Sequence, residues 1–161
     1  MWQYRGQARP DFAVAPGPGQ ESVWDYPRPP ALVSSDEQVD ISHRHVPLAS
    51  SRSVLRVLET ASPPTYYLPE ADINWSALAR VPGGSFCEWK GQASYWALAD
   101  DTTARPVAWM YESPSARFAA IDRHASFYPG RLTCLVNGER VQAQPGDFLW
   151  RLDNLSRGWP L

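Results

Sequence analysis

Two stretches in the second half of the chain constrain its class more than anything else. Residues 92–98 alternate Ala93, Tyr95 and Ala97 with Ser94, Trp96 and Leu98, and Val107, Trp109 and Tyr111 repeat the period further on. A side-chain period of two belongs to a half-buried strand, and aromatic and β-branched residues favour that state. Residues 131–136, Asn137-Gly138 and residues 139–142 then predict a hairpin with a two-residue type I′ turn. Asn and Gly tolerate the left-handed backbone that both turn positions require. In that register Cys134 faces Val141 and shares a face with Leu132 and Val136, so it reads as a buried core thiol. The expected class is mainly β, a small single domain with one or two short helices.

The first half is less regular. Residues 37–43 predict an early strand with Val39 and Ile41 on one face, and residues 45–49 a second. Ser50 or Ser51 is placed to cap a short helix through Val54, Leu55, Val57 and Leu58, which Pro63-Pro64 would end. The same spacing also suits a buried strand. Tyr66-Tyr67-Leu68 reads as a short strand stopped by Pro69, followed by a single turn over residues 70–74. Ser113-Pro114 begins a helix that puts Phe118 and Ile121 on one face.

Residues 1–30 have a different texture. Six of the sixteen prolines fall there, with Gly6, Gly17 and Gly19, and together they forbid regular structure over most of the segment. Disordered tails are poor in aromatics, yet this one carries Trp2, Tyr4, Phe12, Trp24 and Tyr26. It reads as an extended Pro-rich N-terminal arm that docks its rings on the folded body. The expected organisation is an arm over 1–30, a body over 31–148 and a C-terminal tail over 149–161.

Composition excludes several classes. A length of 161 residues is a prior for one domain. A formal net charge of -2 lacks the basic footprint of a nucleic-acid binder. No apolar run reaches membrane-spanning length, and Met1-Trp2-Gln3-Tyr4-Arg5 does not resemble a secretion signal, so a cytoplasmic protein is expected. Cys87 and Cys134 are the only cysteines, with no C-x-x-C, which rules out a four-thiolate zinc site. One disulfide is formally available, but without a secretion signal both thiols are expected to stay reduced. No cofactor is expected.

The densest polar segment is Gly83-Gly84-Ser85-Phe86-Cys87-Glu88-Trp89-Lys90-Gly91, which contains the only lysine of the chain. Glycines allow a ligand to approach the backbone, so the segment is a candidate binding loop. Cys87, three residues from Lys90, is a candidate nucleophile; the plainer alternative is a small apolar residue at a strand end beside a surface charge. His43-x-His45 would place two imidazoles on one face of a strand, half of a metal site, although a solvated edge explains it better. His124 could assist Cys87 only if the fold joins them. Gly84-Ser85 followed by Asp100-Asp101 invites comparison with a nucleotidyltransferase signature. Adjacent carboxylates on a strand point to opposite faces, however, and residues 99–103 read as a turn. The aromatics are more than a small β core needs, which argues for a partly exposed aromatic cleft.

The Trp24-Asp25-Tyr26-Pro27-Arg28-Pro29, Arg56-Val57-Leu58-Glu59-Thr60, Cys87-Glu88-Trp89-Lys90-Gly91, Ala108-Trp109-Met110-Tyr111 and Ser126-Phe127-Tyr128-Pro129-Gly130 blocks resemble the bacterial domain-of-unknown-function 427 family. The resemblance implies a β-tent type fold, similar to the B-type methionine sulfoxide reductases, the Mss-four-like proteins and the thalidomide-binding domain of cereblon. Those relatives hold a structural zinc on paired C-x-x-C knuckles; this chain has none, so no metal is carried over. It also departs from the family's Gly-rich end, running from Gly146-Asp147-Phe148 into Leu149-Trp150-Arg151-Leu152.

The expected function is a binding module for a small molecule or peptide. Its ligand-binding residues would be Glu88, Trp89, Lys90, Tyr95, Trp109 and Tyr111, with part of the arm over them. The alternatives are an enzyme using Cys87 as nucleophile or redox thiol, or an assembly protein that forms homo-oligomers through its arm.

Overall fold

The alternating segments become strands of two antiparallel sheets in the computed structural model, which describes residues 8–143 and the backbone pairing of residues 150–151 and 155–156. After a two-residue strand β1 (Glu21–Ser22), the chain forms β2 (Ala31–Ser35), β3 (Val39–His43), β4 (Val46–Ser51), β5 (Val54–Glu59) and β6 (Ser62–Pro69). Next come β7 (Leu78–Cys87), β8 (Gly91–Leu98), β9 (Pro106–Tyr111), β10 (His124–Phe127), β11 (Thr133–Val136) and β12 (Glu139–Arg140). One sheet has the order β2-β5-β6-β10-β9-β8-β7 and the other β12-β11-β3-β4. Two minor pairs, β13 (Gln142–Ala143) with β14 (Trp150–Arg151) and β1 with β15 (Leu155–Ser156), involve the C-terminal segment. Among the described residues the helical segments are short 3-10 turns at Val23–Asp25, Glu70–Asp72, Trp75–Ala77 and Ala116–Ile121. Among the described residues no helix is long and apolar enough to cross a membrane.

The centre of the seven-stranded sheet is apolar on both faces, as β9 shows. Ala108 and Met110 point into the core shared with the four-stranded sheet, where Ile41, Leu48, Leu68 and Phe127 are also buried. Trp109 and Tyr111 point the other way, into a second cluster with Tyr67, Ala93, Phe118 and Ile121. Each such side chain contributes about 1.5–3 kcal/mol when it leaves water. The Ala116–Ile121 segment supplies a lid of two residues, Phe118 and Ile121, both fully buried.

The hairpin forms as expected, Asn137 and Gly138 having φ of 49° and 80°, with Val136 opposite Glu139. Cys134 is fully buried, the Val141 N–H donates to its carbonyl at 2.8 Å, and burial pushes its thiol pKa up. Neither cysteine forms a disulfide.

Three expectations fail. Ser113 does not start a helix: its φ is 53°, and the short 3-10 segment begins only at Ala116, with Ser115 at its N-cap. Residues 54–58 are strand β5, not a helix, because β2 and β6 both pair with it and Val54 and Val57 are buried by the sheet. Ser51 Oγ accepts from the Ser53 N–H at 3.0 Å and so closes a tight β4–β5 turn instead of capping a helix. Pro63-Pro64 does not stop an element but lies inside β6. The β5–β6 register shifts between Val57 and Glu59, opposite these prolines, and such an irregularity spares the ladder bonds that proline cannot make.

Residues 21–28 pack against β5 and the β5–β6 turn. Val23 is fully buried, Thr60 Oγ1 donates to the Tyr26 carbonyl at 2.5 Å, and Arg28 pairs with Glu59 at 2.8 Å. Tyr26 donates to Glu21 at 2.5 Å and Arg56 bonds the same carboxylate at 2.6 Å. Phe12 meets Trp24 edge-on at 5.5 Å, and Arg9 pairs with Asp25 at 2.6 Å. The expected roles of Trp2, Tyr4 and the 149–161 tail lie outside the described residues.

Two predictions follow from this packing. Cys134→Ser should lose about 2 kcal/mol in urea unfolding, from burying a hydroxyl where a thiol packs, and Cys134→Ala should lose less; equal losses would contradict that cause. Partial burial pulls the Glu21 carboxyl up, but bonds from Arg56 and Tyr26 outweigh it and hold the pKa below 4.5. A carboxyl whose folded-state pKa is depressed contributes stability above its unfolded value and loses it as pH falls through the folded one. Glu21→Gln should therefore flatten the fall in thermal stability below about pH 5, whereas an unchanged acid limb would show that the cluster contributes nothing.

Candidate functional site

The Glu88-Trp89-Lys90 turn joins β7 to β8, with Cys87 opposite Gly91. Both flanking glycines have a steric reason. A Cβ at Gly84 would meet the Ala93 carbonyl oxygen at 2.6 Å, and Gly91 has a φ of 107°. Close backbone packing at Gly84 and the positive φ at Gly91 account for them without a ligand.

The turn is fastened to the lid. Ser115 donates its N–H to the Lys90 carbonyl at 3.0 Å and its hydroxyl to the Trp89 carbonyl at 2.6 Å. The Lys90 ammonium lies 5.7 Å from the Tyr111 ring centre and 5.9 Å from that of Phe118, at the outer range of cation–π attraction. Beneath it, Trp109 Nε1 donates to the Tyr67 hydroxyl at 3.2 Å, and Tyr128 packs on Trp109 with ring centres 4.8 Å apart. Burial raises the pKa of the Tyr67 and Tyr111 hydroxyls, so both stay neutral.

The fold thus brings five of the six expected ligand-binding residues to one face. Trp89 and Tyr95 are half-buried members of the aromatic cluster, Lys90 is half-buried above it, and Glu88 is exposed in the turn. Trp109 and Tyr111 are only 6% and 9% exposed, so they form a floor and present little surface. Tyr95 shares a 2.5 Å hydrogen bond with Ser85. The arm expected over this face packs instead on β5, on the other side of the sheet order from β7 and β8.

Cys87 is half-buried at the edge of the aromatic cluster. No hydrogen bond joins it to Lys90 or His124 among the described residues; His124 Nδ1 engages the Asp122 carbonyl at 2.8 Å. His43 and His45 do not share a strand face. His43 ends β3, while Arg44 and His45, with φ of 47° and 68°, form the β3–β4 turn. Asp100 and Asp101 lie in the β8–β9 turn as read, with Thr103 donating both its N–H (2.8 Å) and its hydroxyl (2.7 Å) to Asp101. Among the described residues no three His, Cys, Asp or Glu side chains gather as metal ligands would.

The sequence reading missed a cleft of about 930 Å³ at one end of the two sheets, where the β3–β4 turn, the β8–β9 turn and Gly130-Arg131 meet. Its lining comes from segments far apart in the chain, and no local pattern announces it.

Comparison with curated proteins gives no match. A family model described as a domain of unknown function, DUF427, matches residues 31–138, which span β2 through the Asn137-Gly138 turn. The chain belongs to the DUF427 family.

Proposed function

We propose that this protein is a binding module that holds a small molecule or a peptide on the aromatic face beside the β7–β8 turn. The observation that carries the reading is the position of the one lysine of the chain, over two aromatic rings and next to the half-buried Trp89. A flat apolar group would lie on Trp89 and Tyr95, while Lys90 and Glu88 supply charge at the edge. Aromatic walls with few convergent polar groups are the usual make-up of a ligand site. Trp109 and Tyr111 support this surface from beneath, and the lid bonds to Trp89 and Lys90 hold it rigid before a ligand arrives, which lowers the ordering cost of binding.

A thermal-shift screen of small aromatic acids and short peptides tests the reading. At a hundred times Kd a ligand stabilises by about 2.7 kcal/mol, enough to raise the Tm by roughly 5–10 °C in a chain of this size. Trp89→Ala and Lys90→Ala should each abolish the response to such a ligand; stabilisation as large as in the wild type would refute the site. Trp109→Ala is unsuitable, since emptying a buried indole site costs about 3–5 kcal/mol by itself.

The reading also predicts that Cys87 reacts with iodoacetamide at pH 7 no faster than an ordinary free thiol, because among the described residues no hydrogen bond joins it to Lys90 or to His124. Markedly faster labelling would favour a nucleophilic Cys87 instead.

A further inference from the structure

We infer that the cleft between the β3–β4 and β8–β9 turns is a separate binding site, for a small molecule that joins an apolar body to a phosphate or carboxylate group. Its volume of about 930 Å³ is that of a small-molecule pocket. The floor is apolar, with Leu48 and Val107 almost fully buried. The rim is cationic, with Arg44, Arg105 and Arg131 reaching it from three separate segments.

These arginines are suited to an anion. Arg131 stacks over the Tyr128 ring at 4.2 Å and donates through Nη1 to the Pro106 carbonyl, so its guanidinium is fixed in the wall. Arg44 stands exposed on the tight β3–β4 turn and makes no hydrogen bond or ion pair among the described residues. A planar guanidinium pairs with two oxygens of a phosphate or carboxylate at once, and Arg is the side chain best shaped for that. Two carboxylates, Asp100 and Asp101, also line the cleft. Asp101 accepts two bonds from Thr103 that fix it in its own turn and keep it ionised, so three guanidinium groups stand against two carboxylates and the excess charge of the rim is positive. The β3–β4 turn is a tight two-residue connection, and the longer β8–β9 turn is braced by the bonds from Thr103 to Asp101, so the rim is preformed. None of the residues lining the cleft belongs to the aromatic face; Tyr128, which packs on Trp109 and under Arg131, is the link between them, and the variants below test the two sites separately.

Isothermal titration of the full chain with phenyl phosphate, phenylacetate and neutral benzyl alcohol tests the inference. At least one of the two anions should bind, each at least tenfold more tightly than benzyl alcohol if it binds at all, and which one binds tells phosphate from carboxylate. Arg44→Glu should weaken that anion by about tenfold or more through reversed charge. Ala99→Trp, which fills the cleft from an exposed rim position, should abolish binding without lowering the Tm. Trp89→Ala should leave it unchanged. Failure of both anions to bind, equal affinity for benzyl alcohol, wild-type affinity in Arg44→Glu and Ala99→Trp, or loss in Trp89→Ala would each overturn the assignment.

Discussion

The pleat of β9 is the constraint on which the rest of the structure depends. Successive side chains of a strand leave opposite faces, and in β9 every one of Val107 through Tyr111 is buried. A central strand of that composition cannot have a wet side. One face is closed by the four-stranded sheet, and the other must be closed by something else. The chain uses the Ala116–Ile121 segment, inserting Phe118 and Ile121 over Trp109 and Tyr111. The Trp89 and Lys90 carbonyls hold that segment through Ser115. What looks in isolation like a polar, glycine-flanked loop is therefore also the fastening of a second core.

This double role explains why the polar segment reads so strongly as a site. Lys90 is suspended over aromatic rings that the fold needs buried, and Trp89 and Tyr95 remain half-covered because a two-residue lid cannot shield the whole sheet face. In the proposed function, the binding surface and the structural closure share the same side chains. The other concavity, at the turn end of the sheets, has a different character, with an aliphatic floor and guanidinium groups on its rim. The two differ in the ligand chemistry they would accept.

Much of the architecture was legible because its determinants are local. Asn137-Gly138 specifies its own turn, and the alternation in residues 92–98 and 107–111 specifies strands without reference to the rest of the chain. Residues 54–58 were ambiguous for a physical reason. Val54, Leu55, Val57 and Leu58 fit one face of a helix and also a strand paired on both sides, and only β2 and β6 decide between them. Pro63-Pro64 misled because proline inside a strand is tolerated where the register is already broken. The site was half legible. Composition singled out residues 83–91, but the burial of Trp109 and Tyr111 depends on a lid contributed from elsewhere in the chain. The cleft depends on four separated segments, and nothing in any one of them points to the others.

Both faces of the sheet are dry at β9, and the lid over Trp109 and Tyr111 belongs to the folded core. Amide hydrogen exchange measures this directly, because a segment that opens only with the sheet exchanges at the sheet's rate. The Ser115 and Phe118 amides, bonded to the Lys90 and Ser115 carbonyls at 3.0 and 2.8 Å, should be protected to the same order as those of Ala108 and Met110. Exchange as fast as in the exposed turn at residues 102–104 would contradict the account, since Trp109 and Tyr111 would then lack a stable cover.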